Sequence, residues 1–284
     1  MSFDPTPYLD KLEALVDVDH VKAAEARQAA AWRYEPVDRR PTIVTVRDDW
    51  GHKQYDFPPG WPQIPYSEAY RDPAKMLIYE LARVYEGALL RDDRAYTIRS
   101  NYGLVVLASM VGCEVWQDQE NMPWAEAFST MEEVEAAIDR GLPDMNSGIG
   151  AQVWETEQYF RDTLAAYPNL SRTVRIGCPD AQGPFNTAVN IAGAQVYYAV
   201  IQRPEAVHRL VEFSTDLYLA VIAHHKRLMG EPDDVGYSFS YRIEGGGRAS
   251  DDSAVMISGK MYGEFVKPYN ARAYQATHGG LLHF

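Results

Sequence analysis

Short β-rich runs that end in polar residues recur along this chain, each giving way to a loop or a helix, and this alternation restricts the fold most. TIVTV (42–46) delivers Arg47, Asp48 and Asp49, and YTIRSNYG (96–103) ends in Ser100, Asn101 and Tyr102. TVRIG (173–177) runs into Cys178, Asp180 and Gln182 ahead of Gly183-Pro184-Phe185. YSFSY (237–241) leads to Glu244 and the stretch EGGGRASDDSAVMIS, which reads as a loop, and GGLLHF closes the chain as a last buried strand. Strand, polar loop and helix in alternation predict an α/β fold of parallel β/α units, of which the TIM-type β/α barrel is the closed form. Such a barrel keeps its catalytic groups at the C-terminal ends of the strands. Here those ends carry Arg47, Asn101, Cys178, Glu244, Asp251 and His283.

The intervening segments read as helices and ordered loops. Residues 8–34 form an Ala-rich amphipathic pattern, and the proline-rich stretch 51–66 reads as an ordered loop rather than a flexible linker. Asp72-Pro73 opens a helix to about Leu90, since Asp caps well and Pro fits the first turn. LVVLASMVG (104–112) suits either a helix or a buried strand. Pro204 starts the clearest helix, with Val207, Leu210, Val211, Leu217 and Val221 on one face and Lys226 and Arg227 near its end at Gly230. Ser258 can cap a further helix, in which Pro268 is expected to force a kink.

The chain has 284 residues and a net charge of −13. That length allows one large domain or two small ones, and that charge argues against broad nucleic-acid binding, which needs clustered Lys and Arg. Two distant cysteines, Cys113 and Cys178, offer no disulfide framework. With no signal peptide and no run of eighteen apolar residues, the expectation is a cytoplasmic protein without a membrane span.

Three segments together resemble the uroporphyrinogen decarboxylase superfamily: QGPFNTAVNIAG (182–193), QRPEAVHRLVEFSTDLYLAVI (202–222) and DDSAVMISGKMYGEFVKPY (251–269). The resemblance covers most of the chain and is strongest from about 172 onward. It implies a single barrel domain over 1–284, with residues 1–40 as a helical N-terminal extension. RPTIVTVRDDWGH (40–52) aligns with the arginine motif of the decarboxylases and puts Arg47 on its first substrate-binding arginine. Gly51 stands where the second should be, Gly103 where a carboxylate should be, and Asn190 or a neighbour where a tyrosine should be. A substrate with eight carboxylates needs dense cationic recognition, so these departures weigh against uroporphyrinogen decarboxylation.

The resemblance leans instead to the zinc- and corrinoid-dependent methyltransferases, where a strand ending His-x-Cys supplies two zinc ligands. LLHF places His283 on that histidine, one residue before the expected cysteine, and the last two strand–helix units with the third ligand are expected to be missing. The implied reaction moves a methyl group between a corrinoid protein and a small acceptor, zinc making a thiol acceptor nucleophilic. On this reading Asp251, Asp252 and Glu244 are the catalytic candidates. Arg47, Asn101, Tyr102, Gln182, Asn186 and Ser253 bind substrate, and His283 holds metal. The rival readings are a decarboxylase and a truncated binding or assembly protein. Exposed apolar strand edges would favour association or aggregation, a homodimer being one form this allows.

Plainer roles stand beside these. Asp251 and Asp252 also suit capping of the helix after Ser258. His283 also suits an ordinary strand position. The triple glycine before Arg248 also suits a loop that simply turns, and it lacks the Gly-Lys-Ser/Thr of a phosphate loop.

Overall fold

A computed structural model describes residues 3–44 and 58–283. Its strands are β1 (Tyr96–Arg99), β2 (Glu114–Trp116), β3 (Trp124–Glu126), β4 (Val174–Gly177), β5 (Val235–Ser238), β6 (Tyr241–Glu244), β7 (Gly247–Ser250) and β8 (Gly280–His283). Among the described residues they pair two by two: β1 with β4 and β7 with β8 in parallel, β2 with β3 antiparallel, and β5 with β6. The fold is therefore α/β with parallel pairs. Among the described residues no closed barrel is formed, each ladder stopping at two strands. No described helix is long and apolar enough to cross a membrane.

The chain falls into two compact units. The first comprises residues 1–101, 156–177 and 237–243. Its opening helix is two helices, Thr6–Leu15 and Val18–Trp32, because Val16 is extended and the Asp17 carboxylate caps the second by accepting from the N–H groups of Asp19 and His20. Asp72 caps Pro73–Leu90 in the same way, as its sequence predicts. That helix buries Met76, Leu77, Ile78, Leu81 and Val84 beside β1. The ordered-loop reading holds over its described part, where Trp61 is buried and its indole donates to the carbonyl of Ile78 at 2.8 Å.

Residues 42–44 form no strand. The rest of TIVTV, Arg47, Asp48 and Asp49 lie outside the described residues. Thr42 is held instead by Asp93, a fully buried carboxylate that accepts from the Thr42 N–H at 2.8 Å and pairs with Arg27 at 2.5 Å and Arg39 at 2.7 Å. Burial opposes its ionisation, yet the Thr42 N–H and the two guanidinium groups hold its carboxyl below the ordinary value. YSFSY is not one strand. Phe239 and Ser240 both take positive φ, 47° and 73°, and turn the chain between β5 and β6. A two-residue turn of this hand matches the twist of a hairpin, and alternating Tyr and Ser conceal it.

The second unit comprises residues 102–155, 178–236 and 244–284. LVVLASMVG resolves as a 3-10 turn, Gly103–Val105, and a helix, Val106–Val111, ended by Gly112 at φ 114°. Pro204–Met229 is the long helix its pattern predicts, stopped by Gly230. Ser258 caps Gly259–Phe265 by accepting from the Met261 N–H. Pro268 does not kink that helix: the chain breaks at Val266, and Pro268 sits in the first turn of a new one, Lys267–Ala276.

EGGGRASDDSAVMIS is not a loop throughout, since it contains β7 and a 3-10 turn, Asp252–Met256. Its glycines bring backbone against backbone. A Cβ on Gly245 would stand 2.2 Å from the carbonyl carbon of Gly279, and one on Gly280 would stand 2.0 Å from the carbonyl oxygen of Gly247. Leu281 and Leu282 of β8 are half-buried rather than buried.

Gly245 also lies at φ +88°, which a side chain resists, so Gly245→Ala should cost about 2–4 kcal/mol in urea denaturation. Gly259→Ala, with nothing within 4 Å of the added carbon, should leave the midpoint within about 0.5 kcal/mol of the parent. Equal effects at the two positions would show that the close approach carries no weight.

Candidate functional site

Parallel pairing of β7 with β8 sets Gly247 opposite Gly280 and Ser250 opposite His283. Both strands therefore end at the same edge, and the residues that follow gather there. The Asp251 N–H donates to the His283 carbonyl at 2.9 Å, which holds the two strand ends together. Gly183, at the start of the helix Pro184–Ala192, donates its N–H to the Ser250 carbonyl at 3.1 Å. Its missing side chain matters, because a Cβ there would be 2.7 Å from Asp251 Oδ1.

A chain of hydrogen bonds lies behind this edge. Arg248 pairs with Asp180, and the Gln182 amide donates to the same Asp180 oxygen at 2.9 Å. Asn186 donates to Gln182 Oε1 at 2.9 Å and accepts from the Ser253 N–H at 2.9 Å. The Tyr197 hydroxyl donates to the Ser253 carbonyl at 3.2 Å. Asp180, Gln182 and Asn186 are buried, so each bond replaces one lost to water.

Asp251 is fully buried. The Asn270 amide donates to its Oδ2, while Oδ1 and the Asn270 carbonyl oxygen are buried with no protein partner. Burial pushes the carboxyl up to about 6, the Asn270 amide pulls it partly back, and the Asp252 charge adds to the rise. Asp252 and His283 are more than half exposed, with His283 Nδ1 3.2 Å from Asp252 Oδ1. The cluster thus offers a buried carboxyl that exchanges its proton near neutral pH, and an imidazole held through one nitrogen.

The structure brings together Gln182, Asn186, Asp251, Asp252, Ser253 and His283 of the residues the sequence singles out. Others lie elsewhere. Arg47 is outside the described residues. Asn101 belongs to a buried cluster of the first unit, donating to Glu80 at 2.9 Å and accepting from Arg99 at 3.2 Å and, at its carbonyl, from Tyr66. Tyr102 is buried. Glu244 ends β6 beside Gly245, at the Gly279 end of the β7–β8 pair and so opposite the edge that holds Asp251. The helix after Ser258 is capped by Ser258 itself, so Asp251 and Asp252 do not serve there. Sequence reasoning missed Arg248, because β7 was hidden in a glycine-rich stretch. It also missed Asn270, which sits in a helix with no motif around it.

Zinc fits poorly. Among the described residues no group of three or more His, Cys, Asp and Glu side chains is placed to hold a metal. His283 with Asp252 supplies two donors, where a catalytic zinc site takes three from the protein.

No protein-family model matches the chain, and no curated protein matches it. Solved structures do. A methyltransferase from Methanosarcina mazei superposes with a TM-score of 0.61 over 91% of this chain and 68% of its own, at 16% sequence identity. At that identity the likeness is one of fold.

The raised Asp251 carboxyl makes stability depend on pH in a definite direction. Between its ordinary 3.8 and about 6 the folded chain keeps a proton that the unfolded chain has lost. Its contribution is therefore full below about pH 4 and is lost as the pH rises through about 6. Asp251→Asn, which keeps the shape and cannot ionise, should be more stable than the parent at pH 7.5 by up to about 3 kcal/mol, with the gain vanishing near pH 4. Urea denaturation at the two pH values checks this, and a pH-independent difference would contradict it.

Proposed function

We propose that the protein is a methyltransferase-like enzyme that moves a methyl group between a corrinoid-bearing partner protein and a small acceptor, at the edge where β7 and β8 end. The observation that carries the reading is convergence: residues 180–186, 248–253, 270 and 283 come from separate segments, yet their polar groups meet in one cluster. The fold likeness to a methyltransferase and the sequence resemblance support it. In this reading Gln182, Asn186 and Ser253 shape the acceptor site, and Asp251 and Asp252 orient the acceptor. A thiol acceptor must lose its proton before its sulfur attacks the methyl carbon. His283, engaged by Asp252 through Nδ1, is suited to take that proton at Nε2. Zinc in this role would need donors besides the described ones. A cytoplasmic setting, where thiols stay reduced, suits the chemistry.

A carboxy-lyase is the second reading, and Asp251 favours it. Loss of carbon dioxide leaves a carbanion that needs a proton, and a carboxyl pushed up to about 6 holds one near neutrality. Against it, the cluster's half-buried cation, Arg248, is already engaged by Asp180, leaving little to pair with a substrate rich in carboxylates.

The test is methyl transfer from methylcobalamin to small thiols, followed by the change in corrinoid absorbance, beside carbon dioxide release from uroporphyrinogen. Methyl transfer that falls about tenfold or more in His283→Ala and in Asp252→Asn supports the first reading. Carbon dioxide release alone supports the second. Neither reaction leaves a binding or assembly role. Metal analysis of the purified protein decides on zinc.

A further inference from the structure

We propose that the outer face of the β2–β3 hairpin docks a basic segment of a partner protein, one that presents arginine or lysine side chains. In this ladder Trp116 lies directly opposite Trp124 and Glu114 directly opposite Glu126. Because side chains alternate along a strand, these four share one face, while Val115 and Ala125 turn to the half-buried other side. Trp116 is 47% exposed and Trp124 49%, and both glutamates are exposed.

Two features of this face are costly for an isolated chain. Large aromatic surfaces stand in water, and like charges sit directly opposite across the ladder, an arrangement that destabilises a strand pair. No ion pair among the described residues relieves Glu114 or Glu126. From Tyr102 to Asp139 the chain holds eight carboxylates and no Lys, Arg or His, and of these Glu132, Glu135 and Asp139 are paired with Arg203 and Arg209. Asp118 and Glu120, in the turn joining the two strands, are among the eight and are exposed.

A guanidinium or ammonium group satisfies both features at once. It stacks on an indole face and pairs with a carboxylate beside it, and arginine does both better because its cation is planar. Two facing pairs, Glu114 with Glu126 and Trp116 with Trp124, set side by side on one face, suit a segment bearing more than one cation rather than one small cation. A second copy of this protein is a poor occupant, since its net charge of −13 repels its like. This inference goes beyond the methyl-transfer reading and stands apart from it.

The test uses the full chain and a fluorescein-labelled hexa-arginine peptide, read by fluorescence anisotropy, with hexalysine and hexaglutamate peptides beside it. Hexa-arginine should bind more tightly than hexalysine, and hexaglutamate should not bind. Glu114→Gln/Glu126→Gln and Trp116→Ala/Trp124→Ala should each weaken hexa-arginine binding about tenfold. Glu155→Gln/Glu205→Gln, which removes two exposed carboxylates elsewhere, should change it less than about twofold. Equal losses in the two glutamate variants would reduce the binding to bulk charge and overturn the proposal, as would no binding at about 100 µM peptide. The glutamine variant keeps the side-chain shape, so it remains informative if the alanine variant folds poorly. Glu114→Lys should raise the melting temperature by about 2 °C by ending the opposed charges, and a lower melting temperature would remove the premise.

Discussion

The backbones of β7 and β8 touch more closely than side chains would permit, and the candidate site follows from that contact. Gly245 lies against Gly279, and Gly247 against Gly280. A Cβ at Gly245 or Gly280 would enter the facing backbone. The contact also sets register, which in a strand pair decides more than distance: a slip of one residue turns every side chain to the other face. With Gly247 opposite Gly280, Ser250 falls opposite His283, and the Asp251 N–H reaches the His283 carbonyl. The glycines at one end of the pair thus place the acids and the imidazole at the other.

That placement is costly, and the neighbouring residues show how the cost is limited. A largely buried ion pair such as Asp180 with the half-buried Arg248 gives up hydration, and its attraction offsets the loss only if the remaining polar atoms are also satisfied. Here a neutral amide supplies a further bond on the carboxylate side, while Arg248 Nε is buried without a hydrogen-bond partner. Gln182 donates to Asp180, Asn186 to Gln182, and Asn186 in turn accepts from the backbone that follows Asp252. Asp251 is treated differently. Its one described side-chain partner, Asn270, is uncharged, so part of the burial penalty remains and appears as a raised proton affinity. This separates Asp251 from Asp93 of the first unit, whose burial is offset by two guanidinium groups and the Thr42 N–H.

Much of this was legible in the residues, and the misses share a cause. Asp72-Pro73, the Pro204 helix and TVRIG announced themselves through capping chemistry and periodicity, which act within a few residues. Gln182, Asn186, Asp251, Asp252, Ser253 and His283 could be picked out together through the resemblance and their strand-end positions. Their meeting required a long-range pairing that no local pattern encodes. β7 was misread because glycine signals a turn in isolation, whereas here its missing side chain admits another backbone. The Phe239-Ser240 turn was misread because neither residue is one that normally adopts positive φ. Arg248 and Asn270 inherited the first failure: without β7, nothing pointed to their neighbours. Glu244 shows the converse, a residue that looks well placed in sequence and lies at the far end of the pair.

The charge of the site bears on which chemistry it can host. Asp180, Asp251 and Asp252 contribute three carboxyl groups to the cluster, against Arg248, and Asp180 consumes that cation. An incoming polycarboxylate would meet more negative charge than positive at this edge. A small neutral acceptor meets no such penalty. On the proposed reading it would give its proton to the exposed imidazole of His283. On the same reading, an acceptor this small would supply little binding energy of its own, and orientation would come from the partner that brings the methyl group. Positioning of that kind, rather than strong acid or base chemistry, is what a rigid edge built on two locked strands is able to provide.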